Sequence, residues 1–278
     1  MKCSDIEKQL EKLVPKKVSL AAGDQNTGLI VGRNDKNVST IIITYCVDQE
    51  VVDYAISVQA DMIISYEPII KEPILKIGSE SFEGRLLLQL LRYDIACYAT
   101  GNSFDLCKGG TADWIASKLD LSGVSVTEPL TEYQGVEGNI CQSGFGRIGH
   151  YKKKKTFEEI VDRVSAEFSQ EQVRVYGFEE DDELPFSDIA VSVWADEKSL
   201  DLAIMRGAQM IVTCGVGYQD AMKACGEHRT ILELSGAVAE EGFCECIDQY
   251  LSEVLSSSIE ILTVPTRRKC RFLRSRKE

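Results

Sequence analysis

The sequence has few histidines and lacks a long apolar run. Its 278 residues contain only two histidines, His150 and His228. No apolar stretch approaches the roughly 20 residues that span a bilayer. The first residues, "MKCSDIEKQLEKL", carry charges where a secretory signal needs an apolar segment. We therefore expect a cytoplasmic protein, with the nucleus as an alternative, and no membrane partner.

Several common site motifs are also absent. The ten cysteines form no CxxC pair and fall largely within apolar segments, which predicts reduced core residues rather than a disulfide framework or a zinc ribbon. Neither a GxxxxGK[ST] loop nor a GxGxxG element after a strand is present. The histidines lie in no setting that suggests cysteine-histidine catalysis. The usual nucleotide-binding loops and this nucleophilic mechanism therefore have no support in the pattern.

The charge distribution is strongly asymmetric. The chain carries a net charge of −13, yet residues 267–278, "RRKCRFLRSRKE", contain seven basic residues and one acid. An acidic body disfavours a nucleic-acid platform. The basic tail has two interpretations: a nuclear-targeting or RNA-binding element, or a segment that folds over the acidic surface of its own protein.

Helical and extended patterns alternate along the chain, which predicts an α/β fold with mainly parallel sheets flanked by helices. Strands are predicted at 38–47, 61–66, 94–100, 187–195, 208–213, 230–235 and 259–264. Helices are predicted from Ser4 to near Pro15 and at 49–59, 81–92, 111–121, 157–168, 196–207, 218–227 and 243–256. Ser4 with Glu7, and Thr156 with Glu159, have the spacing of capping boxes.

The segment 120–155 is less regular and rich in glycine, so we interpret it as the connection between two halves. The predicted organisation is a first α/β lobe over residues 1–125. A second α/β lobe follows over residues 126–278, with the connecting segment and the basic tail. The acidic segment 178–185 is predicted to be an exposed loop.

Two segments indicate an internal duplication. Residues 48–65 and 196–213 share seven identities in eighteen ungapped positions, in the same helix-then-strand context. The strands that follow also correspond, and a carboxylate stands four residues after the glycine of each, Asp105 after Gly101 and Glu240 after Gly236. Glu67 follows the buried strand "MIIS". Because ligands gather at the carboxyl ends of parallel strands, these three carboxylates are candidate site residues.

The order of motifs "NTGLIVG", "MIISYEPII", "GNSFDLCKGGTAD", "GFGRIGH", "MIVT" and "SGAVAEEGF" resembles that of the NGG-one-interacting-factor-three-like family, also known as GTP cyclohydrolase I type 2. The resemblance covers nearly the whole chain. It implies a two-lobed α/β protein that assembles into a toroidal homohexamer and holds two adjacent divalent metal ions in a central cleft.

The resemblance also implies where the metal ligands would lie. The family's His-His-Pro falls on Tyr66, Glu67 and Pro68. Its His-Thr-x-x-Asp falls on residues 101–105, which begin with Gly101 and end with Asp105, and its late Gly-His segment falls on 235–237, followed by Glu240. A further polar cluster falls on Thr213, Cys214, Gly215, Tyr218 and Gln219. Every histidine of the pattern is missing.

These departures change the expected chemistry. Zinc sites that activate water commonly use imidazole or thiolate ligands, so a zinc-hydroxide mechanism has little support. Oxygen ligands from Glu67, Asp105 and Glu240 favour magnesium or manganese over zinc. We therefore expect no cofactor or one weakly bound divalent cation, with Tyr66, Gly101 and Gly236 lining the cleft.

Two functions remain open from the sequence. One is a catalytically silent member with a degenerate dinuclear site that acts as a binding or regulatory scaffold for a protein partner. The other is a divalent-metal-dependent hydrolase or cyclohydrolase that acts on a nucleotide or phosphorylated substrate, with Tyr66 orienting substrate or water. The resemblance implies a homo-oligomer, a hexamer, and the only expected route to nucleic acid is the basic tail.

Overall fold

The computed structural model describes residues 1–178 and 185–264. The basic tail and nearly all of the predicted acidic loop lie outside these ranges. The helices are α1 Cys3–Leu13, α2 Lys16–Ala22, α3 Gln49–Ser57, α4 Phe82–Arg92, α5 Ser103–Leu106, α6 Thr111–Lys118, α7 Phe157–Phe168, α8 Glu197–Met205, α9 Tyr218–Gly226 and α10 Gly236–Val254. The strands are β1 Gly28–Val31, β2 Thr40–Thr44, β3 Met62–Ser65, β4 Ala96–Ala99, β5 Ser122–Gln134, β6 Ile140–Lys155, β7 Arg174–Tyr176, β8 Phe186–Ser192, β9 Met210–Thr213, β10 Thr230–Glu233 and β11 Glu260–Thr263.

The strands form two sheets. The first has the order β1-β4-β3-β2-β11, in which β4, β3, β2 and β11 run parallel and β1 is antiparallel to β4. The second has the order β5-β6-β8-β9-β10-β7, with a parallel centre β8-β9-β10 and antiparallel edges. The predicted α/β fold with two related lobes is confirmed, although the second sheet is mixed. Strand β11, from the C-terminal part of the chain, joins the first sheet rather than the second.

The segment 120–155 is not the irregular connection that the sequence suggested. It forms the two long strands β5 and β6, which pair as an antiparallel hairpin. Glycine is required at position 144 of this hairpin, because a side chain there would collide with the carbonyl oxygen of Glu128 on the partner strand. Glycine in a strand often marks such a close backbone approach.

The two lobes repeat the same local contacts, as the internal alignment predicts. Asp48 caps α3 and Asp196 caps α8, each by accepting a hydrogen bond from the backbone N–H three residues later. Asp61 and Gln209, which the alignment pairs, accept backbone N–H bonds of 2.8 Å and 2.6 Å at the beginning of β2 and β8. Repeated contacts at aligned positions support a duplication of the strand-helix-strand unit.

Helices cover both faces of each sheet, and α10 joins the lobes. Its first turns pack Val238 and Ala239 into the core of the second lobe, whereas Phe243 and Ile247 enter the core of the first. All nine cysteines in the described ranges are free. In the same part of the chain, no helix combines the length and apolarity needed to cross a membrane.

Helix α10 packs against both lobes, and this position brings the carboxyl ends of the parallel strands of both lobes toward one cleft.

Candidate functional site

The predicted site residues lie at the carboxyl ends of the strands of both lobes. Tyr66 and Glu67 follow β3 directly, and Gly101 precedes the short helix α5, which contains Asp105. Glu240 lies on the early turns of α10, because this helix begins at Gly236 rather than at the predicted residue 243. The cleft between the lobes is therefore the candidate site.

The centre of the cleft is a hydrogen bond between two of the predicted residues. The Tyr66 hydroxyl donates to Asp105 Oδ2 over 2.6 Å, and it lies 3.1 Å from the side-chain oxygen of Asn102. Tyr66 is 2% exposed, and the Asp105 Oδ1 atom is buried without a hydrogen-bond partner. Burial raises the pKa of Asp105, while the Tyr66 hydrogen bond and the charge of Arg147 act in the opposite direction. Burial also raises the pKa of Tyr66, so the phenol is the donor of this pair.

Aromatic rings enclose this hydrogen bond. Tyr45 stacks on Tyr66 with ring centroids 4.4 Å apart and an interplanar angle of 9°. Phe243 of α10 packs edge-on against Tyr66 at 5.6 Å and against Phe104 at 5.2 Å. We call Tyr45, Tyr66, Phe104 and Phe243 the cleft aromatic cluster. Offset and edge-to-face ring pairs add to the stabilisation that burial provides, so the cluster makes the centre of the cleft a packed core.

Trp194 extends the aromatic contact into the second lobe. Its indole N–H donates to the Tyr45 hydroxyl over 3.2 Å. A side chain at Gly236 would meet this indole at 3.3 Å, and one at Gly215 would meet it at 2.9 Å. Gly236 is the position that the resemblance gives to a histidine. In this chain the indole of Trp194 lies beside that position.

Gly101, a second position that the resemblance gives to a histidine, disfavours a side chain. Its φ is +62°, a region that favours glycine, and a Cβ there would collide with Asp24 Oδ2 and approach Thr27 Cγ2 to 2.8 Å. Asp24 accepts a hydrogen bond of 3.2 Å from the Ser103 hydroxyl. The segment that leads into β1 thus occupies this space.

The two glutamates lie nearer the rim of the cleft. Glu67 Oε2 is 2.7 Å from Lys71 Nζ. Burial raises the pKa of the Cys46 thiol to about 11, and the negative charges of Glu67 and Glu240 add to this shift. The Cys46 thiol therefore lies within the electrostatic influence of both carboxylates, although Glu67 and Glu240 come from different lobes.

The available donors do not fit a dinuclear metal centre. Glu67 pairs with a lysine, Asp105 accepts from Tyr66, and the cleft aromatic cluster packs the space around that carboxylate. Within the described ranges, no three His, Cys, Asp or Glu side chains are grouped so that they could hold a metal ion. The single weakly bound cation at Glu67, Asp105 and Glu240 stays a prediction.

Thr213, from the further polar cluster, holds the backbone around its strand, and the two histidines lie apart from the predicted site residues. Thr213 Oγ1 donates to the carbonyl oxygens of Val193 at 3.2 Å and Gly215 at 3.0 Å, so its role is to hold the end of β9. His150 lies on β6, and His228 ends the turn after α9 with a φ of 56°. Neither histidine joins the predicted site.

A buried arginine of the hairpin, which the sequence did not indicate, connects β6 to the segment that follows Asp105. Arg147 of β6 is 2% exposed; its Nε donates to Asp113 Oδ1 over 2.8 Å and its Nη2 to the Cys107 carbonyl over 2.8 Å. Its Nη1 donates to the carbonyl oxygens of Gly144 and Gly146. The sequence signal for this contact was one arginine, Arg147, between Gly146 and Gly149. Trp194 was likewise missed, although it is one of only two tryptophans.

Fold and cleft together define a class: two-lobed α/β proteins with a duplicated strand-helix-strand unit and a site between the lobes. The profile of the Duf34/NIF3 (NGG1p interacting factor 3) family matches residues 1–269. The chain belongs to this family.

Sequence relatives support the assignment. The chain is 27% identical over 254 residues to the GTP cyclohydrolase 1 type 2 homolog of Streptococcus pneumoniae, and the match covers 91% of each protein. It is 32% identical over 155 residues to the Bacillus subtilis protein of the same name, covering 51% of this chain and 41% of that one. The first of these relatives matches over nearly its full length.

Solved structures show the same fold. A Bacillus cereus protein related to NIF3 superposes with a TM-score of 0.81 at 18% identity, covering 98% of this chain and 99% of that one. Reduced HcgD from Methanocaldococcus jannaschii superposes with a TM-score of 0.76 at 21% identity, covering 95% and 97%. At these identities the likeness concerns the fold.

Proposed function

We propose that this family member is catalytically silent and acts as a binding or regulatory scaffold, with a degenerate metal site. The observation that carries the proposal is the 2.6 Å hydrogen bond from Tyr66 to Asp105 inside the cleft aromatic cluster. The buried carboxyl group accepts the phenol through Oδ2, and its raised pKa favours the neutral acid, although Oδ1 has no hydrogen-bond partner. It does not depend on a metal ion to offset its burial.

Three independent changes support this interpretation. At the first histidine position, Tyr66 supplies a hydrogen-bond donor where the family pattern supplies a ligand. At Gly101 a longer side chain would collide with Asp24, and Gly236 lies under the indole of Trp194. A single histidine substitution would therefore not rebuild the family pattern in this cleft.

Turnover measurements test catalytic silence. The wild-type protein and a Glu67→Ala/Asp105→Ala/Glu240→Ala variant are incubated with nucleoside triphosphates and phosphorylated metabolites in magnesium, manganese or zinc. We expect no product above that of the variant. Turnover that the wild type shows and the variant lacks would instead support a divalent-metal-dependent hydrolase.

The homo-oligomer implied by the family is kept as part of the proposal, and helix α4 supports it. Leu86, Leu87 and Leu90 are buried in the lobe core, whereas Leu88 and Leu91 on the same helix are 43% and 53% exposed. Leu88 and Leu91 are three residues apart on one face of the helix, so they form a small exposed apolar patch of the kind that a partner surface covers. A second copy of the chain against α4 would cover the exposed leucines.

A further inference from the structure

A large pocket opens at the carboxyl edge of the first sheet, beside the cleft. It has a volume of about 660 Å³ and lies between the end of β3, the loop that follows it and the beginning of α4. We call it the carboxyl-edge pocket. Its wall combines apolar side chains, among them Ile69, Ile74 and Phe82, with charged ones. Ile74 and Phe82 are 43% and 47% exposed, so the pocket offers apolar surface to a ligand.

The charge of this pocket is predominantly negative. Its lining includes the carboxylates of Asp48, Glu67, Glu72 and Glu83 against two lysines, Lys71 and Lys76. Glu240 adds to the negative field on this side, because its charge and that of Glu67 both raise the pKa of Cys46, which also lines the pocket. A ligand for this surface should be basic and carry apolar side chains.

The last described strand leads directly to this pocket. Strand β11 runs parallel to β2, so it ends at the same carboxyl edge as β2 and β3. The next residue, Val264, donates its backbone N–H to the Ile43 carbonyl over 2.9 Å. Its side chain packs into the core cluster that contains Val47 and Ile69, and both of those residues line the pocket. The chain therefore leaves the described fold beside the pocket wall.

We propose that residues 265–278 of the same chain dock into the carboxyl-edge pocket. This segment has seven basic residues and the apolar pair Phe272-Leu273 between arginines. Phe272 enters the apolar part of the pocket, and the flanking basic side chains face the glutamates of its wall. From Val264 to Phe272 the extended chain reaches about 27 Å, which is ample for a pocket that begins beside Val264.

This inference does not depend on the proposed scaffold function. The docking site shares Glu67 with the cleft, but the tail would occupy the pocket whether or not the cleft binds metal. Metal content and turnover test the scaffold proposal, whereas peptide binding tests the docking site, so failure of one is distinguishable from failure of the other.

A labelled peptide of residues 265–278 tests the proposal by fluorescence anisotropy. The protein shortened to end at Val264 should bind this peptide saturably, and the full-length chain should bind it about tenfold more weakly because its own tail competes. The shortened protein should keep its far-UV circular dichroism spectrum. Equal binding by both proteins, or no binding by a folded shortened protein, would overturn the proposal.

Charge reversal identifies the pocket. In the shortened protein, Glu72→Lys with Glu83→Lys should weaken peptide binding about tenfold, and added salt should weaken it for the unaltered pocket. Glu227→Lys, which changes an exposed acid at the end of α9 on the second lobe, is the matched control and should leave affinity within about twofold. An equal loss in pocket and control variants would reject the pocket as the site.

A full-length variant keeps the test independent of truncation. With Phe272→Ser and Leu273→Ser the tail retains its charge but loses its apolar pair, so added wild-type peptide should bind as it does to the shortened protein. If the variant binds the peptide as weakly as the full-length wild type does, docking through these side chains is contradicted. Tail-dependent binding of a single-stranded RNA without any peptide binding to the protein would instead assign the tail to nucleic acid.

Discussion

At the residue scale, Tyr66, at a position where the resemblance implies a histidine, donates to the buried carboxyl group at the centre of the cleft. The sequence predicted that Tyr66 and Asp105 share a cleft, and the structure brings them together. Sequence reasoning gave Tyr66 a role toward substrate or water, because nothing in the motif shows that its hydroxyl points at Asp105. The contribution of Trp194 was equally hidden, since its contacts join residues that are far apart in the chain.

Removal of the Tyr66 hydroxyl should destabilise the protein. Tyr66→Phe keeps the ring stacking on Tyr45 but leaves the buried Asp105 without its donor. We expect the free energy of unfolding in urea to fall by about 1–3 kcal/mol. Tyr218→Phe removes a hydroxyl from a side chain that is 70% exposed and should have little effect. Equal stability of the Tyr66 variant and the wild type would show that the hydrogen bond is not structural.

Replacement of Asp105 by asparagine should change how stability depends on pH. Burial raises the pKa of Asp105 in the folded state, so the folded chain keeps this proton to higher pH than the unfolded chain does. The resulting stabilisation is fully present below pH of about 4 and is lost as pH rises through the folded-state pKa. Asparagine cannot ionise, so the unfolding free energy of Asp105→Asn relative to wild type should increase with rising pH.

Urea unfolding at a series of pH values between about 4 and 8 measures this difference. Asp162→Asn, at an exposed position of α7, is the control and should give a nearly constant difference. If the difference in unfolding free energy between Asp105→Asn and wild type is also constant with pH, the folded protein does not hold the Asp105 proton to higher pH than the unfolded chain does.

At the element scale, regular segments were predictable and glycine-bearing strands were not. Strands β2, β3 and β9 are continuous apolar runs, and the predicted capping box of Thr156 and Glu159 is confirmed at α7. The box of Ser4 and Glu7 was wrong, because α1 begins at Cys3 and Asp5 accepts the backbone N–H of Lys2. The hairpin β5-β6 was missed because its glycines resemble loop residues in sequence, whereas in the fold they allow close backbone packing.

The hairpin is fixed to the site by Arg147, and this contact predicts a loss of stability. Arg147→Lys keeps a positive charge but cannot reproduce the fork that contacts Asp113 and several carbonyl oxygens. We expect thermal or urea unfolding to show a destabilisation on the order of 3 kcal/mol. Arg206→Lys, at an exposed position after α8, should be nearly neutral. If the Arg147→Lys variant is as stable as the wild type, a lysine with water can replace the guanidinium contacts.

At the scale of the whole molecule, the chain has the fold of its family, and we propose that the chemistry of its cleft departs from the family pattern. The overall fold matches that of the solved structures of the family. The cleft, by contrast, is filled by side chains contributed from distant segments, including Asp24, Trp194 and Phe243. The resemblance implies histidines at positions where this chain has other residues, and only the fold shows which groups surround those positions.

Assembly is predicted to depend on the exposed side of α4. Leu91→Lys places a charge on this surface and should shift the protein to a smaller species in size-exclusion chromatography with light scattering, because burying an unpaired lysine is unfavourable. Leu20→Lys, at an isolated exposed leucine of α2, should leave the mass unchanged. An unchanged mass for the Leu91 variant would remove α4 from the proposed interface.

We propose that the cleft is packed by its own side chains and is not a dinuclear metal centre. The most direct test is elemental mass spectrometry of the protein purified without chelator or affinity-tag histidines. The Glu67→Ala/Asp105→Ala/Glu240→Ala variant is measured in parallel. We predict well under one equivalent of metal per chain in the wild type, with no difference from the variant. Two equivalents per chain that disappear in the variant would contradict the account.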